Sequence, residues 1–414
     1  MTRKTYDTVI AGAGIVGLSI AWELARRSDL KIAVLEKGAG LGEGSTGASS
    51  SICRHRYSMD EMLLMASSGI SAYRNWRAYT GLSGPRAVFQ NQGVLWMPGS
   101  NTAWAAYEHA RLQRFGISSA VLDDDALRER FPALSPCTIA SDTVTGEPHA
   151  CRGGGRHLLE LDGGYMDPVG AMEDLVEACR AQGVDVLFRS GVTGIQQQGG
   201  RICGVRLSVG RSIATPLLVN AAGPWCRQLY EAAGLALRWD LRPTRIQVLY
   251  RDYPFDALGA IPVTVDMAGG IYFRTNNRGQ QLIVSSVLEE DERETVADPD
   301  AFDRHADEDF RLVKFHVLDH RLPGLPQRGS VRSYCGLYTV NRDDVHPIVG
   351  PTELEGFWVA NGFSGHGFKL APAIGSMVAQ AITGDTLETD PAVPLSFFAV
   401  DREPIELESK SVLA

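Results

Sequence analysis

The sequence predicts an α/β protein in two interleaved parts. One is a layered domain around a mostly parallel sheet; the other is an inserted α+β domain built on a mostly antiparallel sheet. Three observations carry this expectation. Residues Tyr6 to Glu36 read as strand, glycine turn, helix, strand, acid. The pattern of a strand delivering small residues returns at Leu217 to Gly223, and again at Phe357 to Thr383, where a glycine loop and a helix follow. Between these, Leu241 to Leu288 is dominated by strand-like runs. The 414 residues suffice for two or three domains. We place the layered domain at 1–90, 161–235 and 331–400, the inserted domain at 91–160 and 236–330, and a C-terminal tail at 401–414.

The first segment is a nucleotide-binding βαβ unit of Rossmann type. Gly12 permits the tight turn, Gly14 lets backbone approach a pyrophosphate, and Gly17 lets the helix lie close to the strand. Ile15 and Val16 open the helix, whose free N–H groups and positive dipole end face the phosphates. Glu36, with Lys37 beside it, is placed to accept hydrogen bonds from a ribose diol. The motif alone leaves FAD and NAD open; its N-terminal position leans towards FAD.

Composition narrows the function. The chain is 44% hydrophobic and 21% charged, as in ordinary globular proteins. A net charge of -9 argues against a nucleic-acid partner. No apolar run reaches the length of a membrane span. The start runs straight into the first strand, so no signal peptide is expected and the location is read as cytoplasmic. Seven cysteines without a CxxC pair predict reduced thiols, with no metal site and no disulfide framework.

After Glu36, a Gly- and Ser-rich stretch ends in Arg54, His55 and Arg56. Its place beside the dinucleotide favours a functional role for Arg54 over a solvated loop tip. Met59 to Tyr79 has helical periodicity, Gln92 to Met97 reads as a strand, and Thr102 to Phe115 and Asp123 to Phe131 read as helices. Residues 136 to 160 are irregular, a lid or subunit contact, with His149, Arg152, Arg156 and His157 read as solvated. A helix follows from Asp167-Pro168 to Ala181, then a strand from Val184 to Phe188 and a meander over 192 to 214. A charged helix is expected from Asp300 to Leu318, with His305, His316 and His320 on or beside it and read as surface histidines. Near the C-terminus, Asn361 to Gly367 is a glycine loop and Leu370 to Thr383 a helix. The tail from Glu388 carries little signal.

Five segments in this order – the N-terminal βαβ, GGYMDP, VNAAGPW, YCGLYTVNRDDVHPIVG and NGFSGHGFKLAP – resemble the D-amino acid oxidase superfamily of flavoproteins. Within it, the chain is most similar to the branch of sarcosine oxidase, N-methyl amino acid oxidase and dimethylglycine dehydrogenase. The resemblance implies FAD and an FAD-binding domain of the glutathione reductase type. It assigns Gly12, Gly14, Gly17 and Glu36 to the ADP half, Ser45 and Thr46 to the loop near pyrophosphate and flavin, and Val192 to adenine. Ala222, Gly223 and Trp225 form a wall, Gly336 and Leu337 lie under the isoalloxazine, and Gly365, His366, Gly367, Phe368 and Lys369 meet its pyrimidine edge. It also implies a carboxylate clamp of Arg54 and Lys369, an active-site tyrosine at Tyr338, and a further aromatic at Tyr272 or Phe273.

Two departures qualify these expectations. The branch's flavin-linking cysteine position is Gly336, and a histidine anchor near residue 47 is missing, so noncovalent FAD is expected. The strand GQQLIVSS lacks the lysine that the oxidases place near the flavin, which leaves oxygen or another carrier as electron acceptor. The resulting expectation is an FAD-dependent amino acid oxidase or dehydrogenase acting on a secondary or N-substituted amine. A 2-hydroxy-acid dehydrogenase and a flavin-carrying subunit of a larger complex are the alternatives, and a homo- or hetero-oligomer is possible on either reading.

Overall fold

The computed structural model describes residues 4–147, 150–407, 410 and 413; His149 lies outside them. Six strands form the first sheet, in the order Ile348–Pro351, Phe357–Asn361, Leu218–Asn220, Thr8–Ala11, Ile32–Leu35 and Asp185–Leu187. The pair at the Ile348 edge is antiparallel and the other pairs are parallel. Both faces of this sheet are covered, which is why TVIA and IAVL are buried throughout rather than alternating. The period of two still shows in where the side chains go. Ile10, Ile32 and Val34 join the core beneath the helices. Val9, Ala11, Ala33 and Leu35 pack on the opposite side, against the meander of Val192–Gln198, Arg201–Leu207 and Ser212–Ala214.

On the helical face, Ile15–Ala25 lies against both Gly367–Thr383 and Pro168–Ala181. Gly375 makes the first contact close: a Cβ there would sit 2.6 Å from the Ser19 carbonyl oxygen. Asp60–Arg74 packs on the other side of Gly367–Thr383.

Eight strands form the second sheet: Val331–Asn341, Leu241–Asp252, Gln281–Ser286, Ile271–Asn276, Val263–Asp266, Val94–Met97, Arg156–Glu160 and Ser119–Asp123. It is antiparallel except where Val263–Asp266 meets Val94–Met97. Helix Glu308–Arg321 closes one face through Phe310, Val317 and Leu318, packed with Leu249, Phe273, Leu282 and Val284. Val265, Tyr272 and Val287 turn to the opposite face and merge with the core of the parallel domain. Strand Val331–Asn341 belongs to this sheet, paired along its length with Leu241–Asp252. The boundary drawn at 331 therefore falls at the start of a strand that continues the antiparallel sheet.

Several expected elements shift, each for a physical reason. The helix expected from Asp300 begins at Glu308. Before it, the Asp298 and Asp303 carboxylates accept the backbone N–H groups of Asp300 and His305, local bonds that compete with a helix. The helical run over Met59 to Tyr79 divides at Asn75 into Asp60–Arg74 and Trp76–Thr80. The segment 136 to 160 is not irregular throughout, since Arg156–Glu160 is an inner strand of the eight-stranded sheet. His157 is consequently buried rather than solvated, whereas Arg152 and Arg156 are exposed as expected. The tail is anchored: Asp390 pairs with Arg27 at 2.6 Å, and Arg402 forms an ion pair with buried Asp344.

Candidate active site

The nucleotide cradle forms where Thr8–Ala11 and Leu218–Asn220 end side by side. Gly12 has φ +110, and a Cβ on it would collide with the Ala221 carbonyl; a Cβ on Gly17 would collide with the Gly12 carbonyl. Only glycines permit this approach of turn, strand and helix. Gly14 caps helix Ile15–Ala25 without a side-chain hydrogen bond. The Ile15 N–H donates to Thr46 Oγ1 at 3.1 Å, which draws the Ser45–Thr46 loop over the helix start, beside half-buried Val16.

Glu36 sits at the end of its strand and accepts from the N–H groups of Ala13 (3.0 Å) and Gly38 (2.7 Å). Val192 opens the neighbouring strand, held near Glu36 by the Ser190 N–H to Glu36 carbonyl bond of 2.8 Å. Lys37 turns outward: its Nζ pairs with Asp300 at 2.6 Å and lies 4.2 Å from the Trp225 ring centroid. The Trp225 indole also donates to Asp300, so this trio ties the inserted domain to the rim of the cradle. The Ala222 N–H is held by the Asn220 side chain, and Gly223, with φ +53, begins the turn to Trp225.

Two adjoining cavities lie between the sheets. The first, with about 250 Å³ of empty space, is lined by Ser45, Ala48, Ser50, Ile246, Val248, Tyr272, Gly336, Leu337 and Tyr338. A Cβ on Gly336 would stand 2.5 Å from the Ala48 Cβ, so this wall tolerates no side chain. The buried Ser45 hydroxyl has no hydrogen-bond partner among the described residues. The second cavity, with about 490 Å³ of empty space continuous with solvent, shares Ser50, Tyr272 and Tyr338 and adds Arg54, Gly365, Phe368 and Lys369. Of the two candidates Tyr272 and Phe273, the strand's alternation sends Tyr272 to the cavities and Phe273 into the core under helix Glu308–Arg321.

Lys369 is placed by the start of its helix, which begins at Gly367, three residues before the expected start. Pro372 has no N–H to give the Phe368 carbonyl four residues back. That carbonyl accepts the Tyr73 hydroxyl instead, at 2.7 Å, while the Phe368 and Tyr73 rings stack at 4.9 Å. Gly69 lets helix Asp60–Arg74 press against the Lys369 carbonyl, where a Cβ would clash. His366, just before the helix, has its ring 3.2 Å from the Tyr57 hydroxyl. Gly365, with φ +85, makes the preceding turn.

The ammonium of Lys369 is 5% exposed, and burial, with the Arg54 charge adding to it, lowers its pKa to about 7. Burial, with the Lys369 and Arg54 charges adding to it, holds His366 well below the ordinary histidine range and therefore neutral. Burial raises the hydroxyls of Tyr272 and Tyr338, which stay protonated.

Arg54 is 3% exposed and follows the short strand Ile52–Cys53, which pairs with Gly164–Tyr165. Its guanidinium lies 4.1 Å from the Tyr57 ring centroid and bonds to the Arg56 carbonyl. Three residues without an assigned role in the sequence support it. Glu160, fully buried, accepts from the N–H groups of His55 (2.6 Å) and Arg56 (3.1 Å) and from the Trp96 indole (2.8 Å), fixing the turn that carries Arg54. Tyr57 joins Arg54 to His366. Buried Arg274 donates to the Ser50 carbonyl at 2.7 Å, holding the loop common to both cavities. Only the acid ending the apolar run HLLE, and the tyrosine three places after Arg54, hint at the first two.

A glycine cradle at the end of a parallel sheet, joined to cavities under an antiparallel sheet, defines a two-domain nucleotide-cofactor oxidoreductase. Residues 7–381 match the family described as DAO, FAD dependent oxidoreductase, and the chain belongs to that family. FAD is its cofactor, and the cradle fits it: side-chain-free glycines, a helix start that Gly14 caps without a side chain, Glu36 at the strand end and the Ser45 hydroxyl, unpartnered among the described residues. Relatives include FAD-dependent oxidoreductase domain-containing protein 1 of Xenopus laevis, 27% identical over 92% of this chain and 80% of that protein. Sarcosine oxidase subunit beta of Rhodobacter capsulatus is 25% identical over 92% of this chain and 85% of its own length, in keeping with the expected branch. The fold is shared with L-proline dehydrogenase from P. horikoshii, at a TM-score of 0.80 and 22% identity, covering 96% of this chain and 98% of that one. No described helix is long and apolar enough to cross a membrane.

Proposed function

We propose that this enzyme oxidises the C–N bond of an amino acid, one with a secondary or N-substituted amine. The observation that carries the proposal is the convergence of two buried cations, Arg54 and Lys369, on one cavity walled by Tyr272 and Tyr338. Arg54 can grip a carboxylate with two hydrogen bonds and Lys369 adds a point charge. An arriving carboxylate favours the protonated lysine and so draws a proton to Nζ. Fixing the acid end leaves the substrate's C–H beside the amine with little freedom, which is the main service the chain provides. Tyr272 and Tyr338, protonated, offer hydroxyl donors to the bound substrate.

Bound FAD supplies the redox chemistry by accepting a hydride equivalent. Gly365 and helix Gly367–Thr383 bring N–H groups and a positive dipole end to the cavity, which favours negative charge there. His366 is no general base on this reading, because burial holds its pKa well below the ordinary histidine range, which makes it a weak base, and its ring is bonded to Tyr57. The substrate loses a hydride and a proton to give an imine, and water then splits the imine into a carbonyl compound and an amine.

In this reading the cofactor is held by 1–90, 161–235 and 331–400, and substrate by the sheet of 91–160 and 236–330, with Val331–Asn341 common to both. Noncovalent attachment follows from Gly336, which offers no thiol. The acceptor is oxygen or another carrier, since strand Gln281–Ser286 contains no lysine. The test is a panel of amino acids and N-alkyl amino acids mixed anaerobically with the FAD-loaded enzyme. Loss of flavin absorbance with N-alkyl amino acids supports the proposal. Bleaching by 2-hydroxy acids alone, or by nothing in the panel, overturns it. Oxygen uptake with the same substrates identifies the acceptor.

A further inference from the structure

We infer that Cys137, Cys151 and His320 form a zinc site, separate from the flavin and substrate cavities. The two Sγ atoms and an imidazole nitrogen all lie within 4.8 Å of one another. None of the three residues lines either cavity. They come from two places far apart in sequence, the loop after Leu134 and helix Glu308–Arg321, which explains why no motif spacing announces them.

The backbone frame around the cluster is already fixed. Arg321, next to His320, donates to the Ser135 carbonyl at 2.5 Å and the Cys137 carbonyl at 3.0 Å, and its own carbonyl accepts from the Ser135 N–H at 2.8 Å. The Thr138 N–H donates to the Arg152 carbonyl at 2.9 Å, which brings the two cysteine-bearing stretches side by side. Zinc–sulfur bonds of about 2.3 Å and a zinc–nitrogen bond of about 2.0 Å put tetrahedral ligand atoms roughly 3.5–3.8 Å apart. With all three atoms within 4.8 Å of one another, a contraction of at most about 1.3 Å reaches that spacing.

Two thiolates and an imidazole suit zinc(II) by softness, and the exposed Cys151 side leaves water as the fourth ligand. Binding releases both thiol protons to solvent while the metal forms two Zn–S bonds. Because the ligands bind as thiolates, metal affinity increases with pH. A disulfide is the competing use of the two neighbouring thiols and draws on only two of the three donors. The metal would clip Cys137 and Cys151 to helix Glu308–Arg321, next to the Arg321–Asp266 ion pair of 2.9 Å.

The test uses the full-length, FAD-loaded protein, reduced, stripped with chelator and titrated with cobalt(II). We expect about one cobalt per chain, tetrahedral d–d bands and a thiolate-to-cobalt charge-transfer band, all removed by adding zinc. Cys151→Ser and His320→Gln should each weaken uptake by more than about tenfold, since loss even of an outer-shell contact costs that much. Retained flavin absorbance in both variants distinguishes loss of the site from unfolding. The inference is overturned if the wild type takes up no cobalt, if uptake is unchanged in the variants, or if protein isolated without reductant carries a Cys137–Cys151 disulfide.

Discussion

Replacing Lys369 by Met should make the enzyme more stable and much less active. Methionine keeps the length and apolar stem of lysine and removes the ammonium. Burial lowers the Lys369 pKa from 10.5 to about 7, a depression of about 3.5 pH units. At about 1.4 kcal/mol per unit, this sets an upper scale of about 5 kcal/mol for the cost of holding the charge. Below pH 7 the lysine is protonated in both folded and unfolded chains, and the whole cost is present. Between pH 7 and 10.5 the folded chain sheds the proton that the unfolded chain keeps, so wild-type stability rises with pH. The variant has no such dependence at this position. Its advantage should therefore be greatest near pH 6 and should shrink by about 1.4 kcal/mol per pH unit above 7. Thermal or denaturant unfolding of the FAD-loaded proteins at pH 6 and pH 9 measures the gap. Loss of one partner of a buried charge pair costs about 2–5 kcal/mol, so kcat/KM should fall at least about 30-fold while the flavin spectrum is retained. A gap independent of pH would show that Lys369 is not a desolvated ammonium. Wild-type kcat/KM in the variant would remove the clamp.

The other predictions use the same geometry. A monocarboxylate that cannot be oxidised should bind with constant Kd below about pH 7 and weaken by up to tenfold per pH unit above it; in Lys369→Met the profile should be flat in a flavin-perturbation titration. Arg54→Lys loses both the bidentate fork and the stack on Tyr57, and should raise KM about tenfold or more with FAD still bound. Glu160→Gln removes a charged acceptor from two backbone N–H groups and an indole. It should cost about 1–3 kcal/mol of stability and raise KM more than it lowers kcat, because the turn carrying Arg54 loosens. Acid precipitation should leave all the yellow colour in the supernatant; flavin retained in the pellet would contradict noncovalent binding beside Gly336.

What the sequence revealed depended on how local each signal was. The βαβ unit was legible because its strand, turn and helix are contiguous, and because doubly covered strands such as TVIA and IAVL carry no polar alternation. Helix boundaries were less legible where side chains compete with the backbone. The carboxylates near Asp300 delayed one helix, and a glycine at the first helical position concealed the true start of another. The cavity's supports were out of reach. Glu160 meets His55 across 105 positions, and Arg274 meets Ser50 across 224, through pairings that exist only once both sheets are built. The same holds for Cys137, Cys151 and His320, and for Lys37, whose partner Asp300 comes from the other domain.

The charge arrangement itself favours an anionic substrate. Arg54, Lys369 and Arg274 are all buried near one loop. Arg274 is held by the Ser50 and Thr275 carbonyls and lies 4.0 Å from the Tyr165 ring centroid, a setting that stabilises a cation without neutralising it. Glu160 is committed to backbone N–H groups and an indole, so its charge is shared rather than given to Lys369 alone. Burial is the main cause of the depressed Lys369 pKa, and the positive surplus, through Arg54, adds to it. A substrate that brings one carboxylate relieves that surplus, raises the Lys369 pKa and recovers part of the cost of burying the ammonium. An amine without an acid group would enter as a cation, add to the repulsion and receive none of this. On the proposed reading, discrimination between amino acids and plain amines resides in the electrostatics of the cavity, before any contact with the rest of the substrate is considered.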